Sequence, residues 1–237
     1  MSDTNVMRTD PSKAPAPNAN RRPVWYWQGE NFRALSEVSR LLADDTDLAE
    51  YVEYLRLRER GLRKDAFRHL GRFITAARNW SFARRCDLVN RLMHIQRERP
   101  SVRDMIPTPL LRELIVPTLD EWTAHEPANP VPWRWRGGTD DLRHAVALDP
   151  NEWIARAELA SRLLGEVGYA VHELPHGYIG SPFEDTKKLD EVESLLAGLP
   201  ATEAITFGRP LTALREKVRS YMALIGTATQ RSTDGER

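Results

Sequence analysis

The sequence predicts an all-α protein of antiparallel helical hairpins, either solenoid-like or packed as an irregular bundle. Three observations carry this. Apolar residues recur at spacings of three and four through most of residues 23 to 226. The segments that keep this period are short and are separated by Pro or Gly. No stretch sustains the strict alternation of a half-buried strand; only the connector EPANPVPWRWRGG and the segment ATEAITFG from Ala201 leave room for a short one.

The elements follow in chain order. Residues 1 to 22 are rich in Pro, Ala, Asn and Ser and nearly devoid of large apolar side chains, so they read as a disordered tail that cannot offset its ordering entropy. Leu48, Tyr51, Val52 and Leu55 form a helical stripe behind the cap region Asp44-Asp45-Thr46, and Gly61 ends it. Ala66, Phe67, Leu70, Phe73, Ile74 and Ala77 give the cleanest period in the chain. Ser81 caps a third helix with Phe82, Cys86, Val89 and Met93, which stops before Pro100. Thr108-Pro109 reads as a cap with Pro at the first helical position, opening a helix to about His125 that Pro117 kinks or stops. After the Pro- and Trp-rich connector, Thr139 opens a short helix to Leu148, ended by Asp149-Pro150. Trp153, Ala157, Ala160, Leu164, Val167 and Val171 form a long stripe. Ser181-Pro182 opens a helix carrying Leu189, Val192 and Leu196, and Pro210 opens the last, with Leu211, Leu214, Val218, Tyr221 and Ile225. The segment from Thr227 reads as a second disordered tail. The body, 23 to 226, reads as one domain whose N-terminal half ends near Glu126 and whose C-terminal half covers 137 to 226.

With 237 residues the chain is long enough for a sizeable core without metal or disulfide staples. Its 34 basic and 34 acidic side chains cancel, which removes the global argument for nucleic acid or a membrane surface as partner. The single cysteine, Cys86, excludes an internal disulfide framework and fits a reducing compartment. No apolar run approaches the roughly 20 residues of a membrane span, and the N-terminus has no apolar signal core, so a cytoplasmic location is the default expectation. The bases are 29 Arg and 5 Lys, a bias that fits GC-rich bacterial coding better than binding chemistry.

The segment LRHAVALDPNEWIARAELASRLLGEVG, Leu142 to Gly168, resembles a tetratricopeptide-type helix junction. Ala147, Leu148, Asp149 and Pro150 close one helix, Asn151 caps the next, and Ala155, Leu159 and Ala160 stand at its packing positions. The resemblance implies a helical hairpin whose small residues Ala155, Ala157 and Ala160 let two helices approach closely. A second echo is the pair of W-x-W-x-G segments, Trp25 to Gly29 and Trp133 to Gly137, each with Pro and Val before it and a helix after it. An old duplication is one reading and chance the other; either way these tryptophans are expected to pin connectors onto helices.

Two constellations invite a chemical reading. His172-Glu173-Leu174-Pro175-His176 matches H-E-x-x-H, in which two histidines one helical turn apart hold zinc and the Glu activates its water. Pro175 lacks an N–H and disfavours helix at Leu174, so His172 is expected to close the long helix and His176 to lie beyond it, with Tyr178 and Phe183 anchoring the loop. The second is charge segregation. Residues 51 to 100 hold 13 basic and 5 acidic side chains, and residues 137 to 207 hold 5 and 13. Arg56, Arg58, Arg60, Arg63, Lys64, Arg68 and Arg72, with Arg84 and Arg85 beyond, form the basic cluster, which reads either as a phosphate-binding surface or as a solvated face. Cys86 lies on an apolar helix face and reads as an inert thiol. There is no glycine-rich phosphate loop, no G-x-S-x-G and no paired C-x-x-C, and no cofactor is expected.

The expectation is therefore a helical-repeat-like protein-interaction module, a bacterial accessory or immunity-type protein that binds a protein or peptide. Its candidate partner-binding residues are Trp25, Trp27, Trp133, Trp135, Arg56, Arg60, Arg63 and Arg68. The alternatives are a metal-dependent hydrolase using His172, Glu173 and His176, and a nucleic-acid-binding protein using the basic region 56 to 85.

Overall fold

The fold is that of a computed structural model in which residues 29–225 are described in full and the backbone as far as residue 234. Trp25, Trp27 and the N-terminal tail lie outside the described residues. Among the described residues the chain is all-helical, without a strand. The helices are α1 Gly29–Leu41, α2 Ala49–Glu59, α3 Arg63–Ala77, α4 Phe82–Glu98, α5 Thr108–Leu110, α6 Val116–His125, α7 Pro130–Arg136, α8 Thr139–Leu148, α9 Trp153–Ala170, α10 Pro182–Leu196 and α11 Ala201–Asp234. No helix is long and apolar enough to cross a membrane among the described residues. The chain divides into two compact units, one running to Phe73 with Arg99–Met105 added, the other made of Ile74–Glu98 and the chain from Ile106 onward. This division falls inside α3 and not at the Trp-rich connector, where the sequence placed the boundary of its halves.

In the first unit α1 packs on α2. Tyr51 and Tyr54 of α2 meet Phe73 and Phe67 of α3 at ring distances of 5.1 and 5.9 Å. The Gly61 reading holds. Gly61 takes φ 74°, its N–H donates to Arg58 O at 3.0 Å, and the Leu62 N–H donates to Leu57 O at 2.8 Å. That is the paired bonding of a left-handed helix stop, which glycine allows without steric cost. The segment Arg99–Met105 belongs here because buried polar groups hold it. The Tyr51 hydroxyl donates to Met105 O at 2.7 Å and the Tyr54 hydroxyl to Asp104 O at 2.6 Å. Asn31 donates to Asp104 and accepts from the Arg103 N–H, while Arg58 pairs with Asp104 at 2.6 Å. Val102 and Met105 are fully buried beside them.

In the second unit α6 packs on α7, α7 on α8, α8 on α9, α9 on α10 and α10 on α11; α11 also lies against α9, and α4 against α6 and α7. The core here is built from Leu142, Ala145, Ala155, Leu159, Ala160, Leu163, Val167, Leu189, Val192, Leu211 and Val218. At Gly198 the backbone approaches the Arg156 guanidinium so closely that an added Cβ would stand 2.6 Å from it. Arg156 is fixed there by donating to Pro150 O and Leu195 O.

Ser81 and Ser181 cap α4 and α10 as expected, accepting from the Arg84 and Glu184 N–H groups at 3.3 and 3.4 Å. Other local readings need correction. Pro107, not Thr108, occupies the cap position of α5, and Thr108 opens the helix without a capping bond. Pro117 does not stop the helix: a π-turn over Leu111–Ile115 precedes it, and α6 continues through it to His125, the widened turn accommodating the missing N–H. Asn151 does not cap α9. Its N–H donates to the Asp149 carboxylate, and Glu152 stands at the cap with its side chain drawn elsewhere. The connector and the segment from Ala201 hold helices, not strands. Finally, Pro210 lies inside α11 and does not open it. Proline inside a helix costs about 3 kcal/mol, and burial of Leu211 and Val218 along the inner stripe of α11 opposes that cost. The same helix carries the backbone through Thr227 to Asp234, where the sequence read a disordered tail.

Candidate functional site

A groove in the second unit has a volume of about 670 Å³. The last turns of α9 form one wall with Gly165, Glu166, Tyr169 and Ala170. Ile179, Gly180 and Ser181 form its end, and Glu184, Asp185 and Lys188 of α10 form the other wall. Glycine opens this space: a Cβ at Gly165 would meet nothing within 4 Å. Gly180 turns the chain at φ 97°, a conformation that side-chain-bearing residues rarely adopt. The turn is tied down. The Ile179 N–H donates to Ala170 O at 3.0 Å, and Tyr178 stacks on Tyr221 and donates to Asp185 at 2.8 Å. Burial and the Asp185 hydrogen bond push the Tyr178 phenol upward, so it stays a donor. Tyr178 thus anchors the loop as expected, whereas Phe183 does not: it is 61% exposed.

Polar groups on the groove are held but reachable. Lys188 bridges Asp185 at 3.0 Å and Glu166 at 3.2 Å. Burial lowers its pKa, but the two carboxylates more than offset this and keep the ammonium charged. Lys187 pairs with Glu184 at 2.9 Å. Around these groups Tyr169 is 65% exposed and Ile179 41%, so large apolar surface faces solvent beside carboxylates.

The H-E-x-x-H residues follow directly on Ala170 and Val171, next to the groove wall in sequence, and do not share one helical face. Helix α9 ends at Ala170, before His172, so the helix stops earlier than the sequence reading placed it. His172 and His176 both lie in the turns that follow, and Leu174-Pro175 is a cis peptide. His172 directs Nε2 to Glu173 at 2.7 Å and Nδ1 to Tyr169 O at 2.5 Å, and its ring stacks on Tyr169. The i, i+4 face that the motif needs is absent. Among the described residues no group of three or more His, Cys, Asp and Glu side chains is arranged to hold a metal ion.

The Trp-rich connector is the reverse case. Asn129 caps α7, accepting from the Val131 N–H at 3.0 Å, and Gly137 ends the helix at φ 71°. This turns Arg134 and Trp135 inward, each 7% exposed. Trp135 therefore cannot serve as a partner-binding platform, a correction to its sequence assignment. Its indole N–H donates to Asn90 at 2.8 Å, and its ring meets His94 edge-on at 5.0 Å. Arg134 pairs with Glu152 at 2.7 Å and donates to Asn90 and to His94 Nε2 at 3.2 and 3.1 Å. Burial, then the Arg134 charge, lowers the His94 pKa, so its Nε2 is the acceptor. Trp133 is half-buried; it donates to Pro127 O and meets His144 edge-on at 4.5 Å. Sequence reasoning missed this network. Its signal was Asn90 and His94 one turn apart on α4, with a basic residue between two tryptophans.

The basic residues remain largely on the surface. Arg56, Arg60, Arg63 and Arg68 are exposed. Arg56 lies 3.8 Å from Glu53, Arg68 3.0 Å from Asp65, and Arg63 over the Phe67 ring. Arg58 and Arg85 are drawn in by Asp104 and Glu121 at 2.6 and 2.8 Å and are not free for a ligand. Burial pushes the Cys86 thiol up to about 11, which makes it a poor nucleophile.

Against known proteins, no protein-family model, no curated protein and no solved structure matches the chain.

Proposed function

We propose that this chain is a protein-interaction module that receives a partner protein or peptide on the α9–α10 face of its second unit. One observation carries the reading: a groove of about 670 Å³ is flanked by Tyr169 and Ile179, both large, apolar and exposed, with exposed Phe183 close by in sequence. Contiguous exposed apolar surface rimmed by polar groups is the usual mark of a docking site. Helix α9, packed on α8 and buried through Ala155, Leu159 and Ala160, supplies one wall of it. An accessory role, of the immunity type or another, is compatible with this docking reading, which needs no catalytic constellation.

The test is affinity capture from cells with the full chain and with its Tyr169→Ala/Phe183→Ala variant. Both side chains are exposed, so the variant should keep its far-UV circular dichroism and its Tm. Proteins retained by the wild type should be lost by the variant. Retention of the same proteins by both would overturn the reading.

A further inference from the structure

We infer that the occupant of the α9–α10 groove is a cationic amphipathic segment of a partner, whose apolar side chains cover Tyr169 and Ile179 while its Arg or Lys side chains meet Glu166 and Glu184. This rests on the docking reading above and adds the chemistry of the partner. Three observations support it. The groove's lining holds three carboxylates, Glu166, Glu184 and Asp185, against one ammonium, Lys188, and it lies in a stretch, residues 137 to 207, with 13 acidic and 5 basic side chains, a balance that favours an incoming cation. The carboxylates on its rim are engaged but reachable. Glu184 pairs with exposed Lys187 at 2.9 Å, a pair worth little that exchanges readily with an incoming cation, while Glu166 meets Lys188 at 3.2 Å and the Thr139 hydroxyl at 3.2 Å and keeps oxygen lone pairs for a further donor. The Tyr169 ring stacks on His172 by one face yet remains 65% exposed, so it still offers an Arg or Lys head group π surface beside Glu166. The buried Asp185 stays engaged by Tyr178 and Lys188, so it holds the floor while the rim binds. Because the Tyr178–Asp185 and Ile179–Ala170 bonds fix the turn, the groove is shaped before the partner arrives, which lowers the ordering cost of binding.

The experiment is fluorescence anisotropy on the full chain with two labelled synthetic peptides that share Leu at helical spacing, one carrying Arg on its polar face and the other Glu. The Arg peptide should bind saturably and weaken as salt is raised; the Glu peptide should not bind. Glu166→Gln/Glu184→Gln should weaken the Arg peptide by about tenfold, as should Tyr169→Ala, which leaves the charge intact. Arg56→Gln/Arg63→Gln, in the other unit, should leave it unchanged. Equal binding of the two peptides, or unaltered binding by the groove variants, would overturn the inference. Salt-sensitive self-association that Tyr169→Ala abolishes would also overturn it, since the occupant would then be a second copy of this chain. If cellular partners are lost with Tyr169→Ala/Phe183→Ala but the Arg peptide fails to bind, the docking reading stands and the cationic partner falls.

Discussion

The connector around Arg134 and the loop around His172 carry similar residues to opposite ends. Both hold an aromatic and a charged group within a few residues and set a histidine beside them. In the first, α7 turns the charge inward, and Arg134 finds Glu152, Asn90 and His94 in a buried network. In the second, α9 stops at Ala170, and His172 and Glu173 pair on the surface, about half exposed. Burial is what separates them. A charge removed from water must be met by hydrogen bonds and then becomes costly to disturb, whereas an exposed pair contributes little.

This contrast can be broken in a definite order. The largest effect should follow Arg134→Ala, which leaves Glu152 buried without its partner. We expect a loss of about 3–5 kcal/mol from the denaturant midpoint; a loss under about 1 kcal/mol would mean that solvent reaches the pair. Trp135→Ala should cost about 3–5 kcal/mol as a large core truncation. Half-buried Trp133→Ala should cost about 1–2 kcal/mol, within the ordinary range for single substitutions.

A subtler effect concerns pH. His94 has a folded pKa below its ordinary 6.5, first from burial and then from Arg134. The folded state therefore binds fewer protons than the unfolded state below that value. The stability His94 contributes is fully present above pH 6.5 and is lost as pH falls through its folded pKa. His94→Gln, which keeps an acceptor but cannot titrate there, should flatten the fall in Tm between neutral and mildly acidic pH. An unchanged slope would assign that fall to other groups.

The smallest effect belongs to the surface loop. His172→Ala should alter stability by no more than about 0.5 kcal/mol, and added zinc or chelator should leave the Tm where it is. A rise of several degrees with zinc, lost in His172→Ala, would restore the metal reading of His172, Glu173 and His176.

The sequence by itself determined the all-α class, most helix starts and the Gly61 stop, because these depend on local period, caps and backbone sterics. It also placed His176 beyond the long helix, since Pro175 acts on its own neighbours. Only the tertiary structure decided the rest. Asn151 should cap α9 on local grounds, yet Glu152 stands there, and its carboxylate is held by Arg134 from another helix and does not cap the helix. Pro210 should open a helix, yet α11 begins nine residues earlier and passes through it while Leu211 and Val218 bury on the core. The groove at Tyr169 was invisible because no local pattern distinguishes an apolar side chain that finds a neighbour from one left facing water. Caps and periods are properties of adjacent residues; burial is a property of what the distant chain brings alongside.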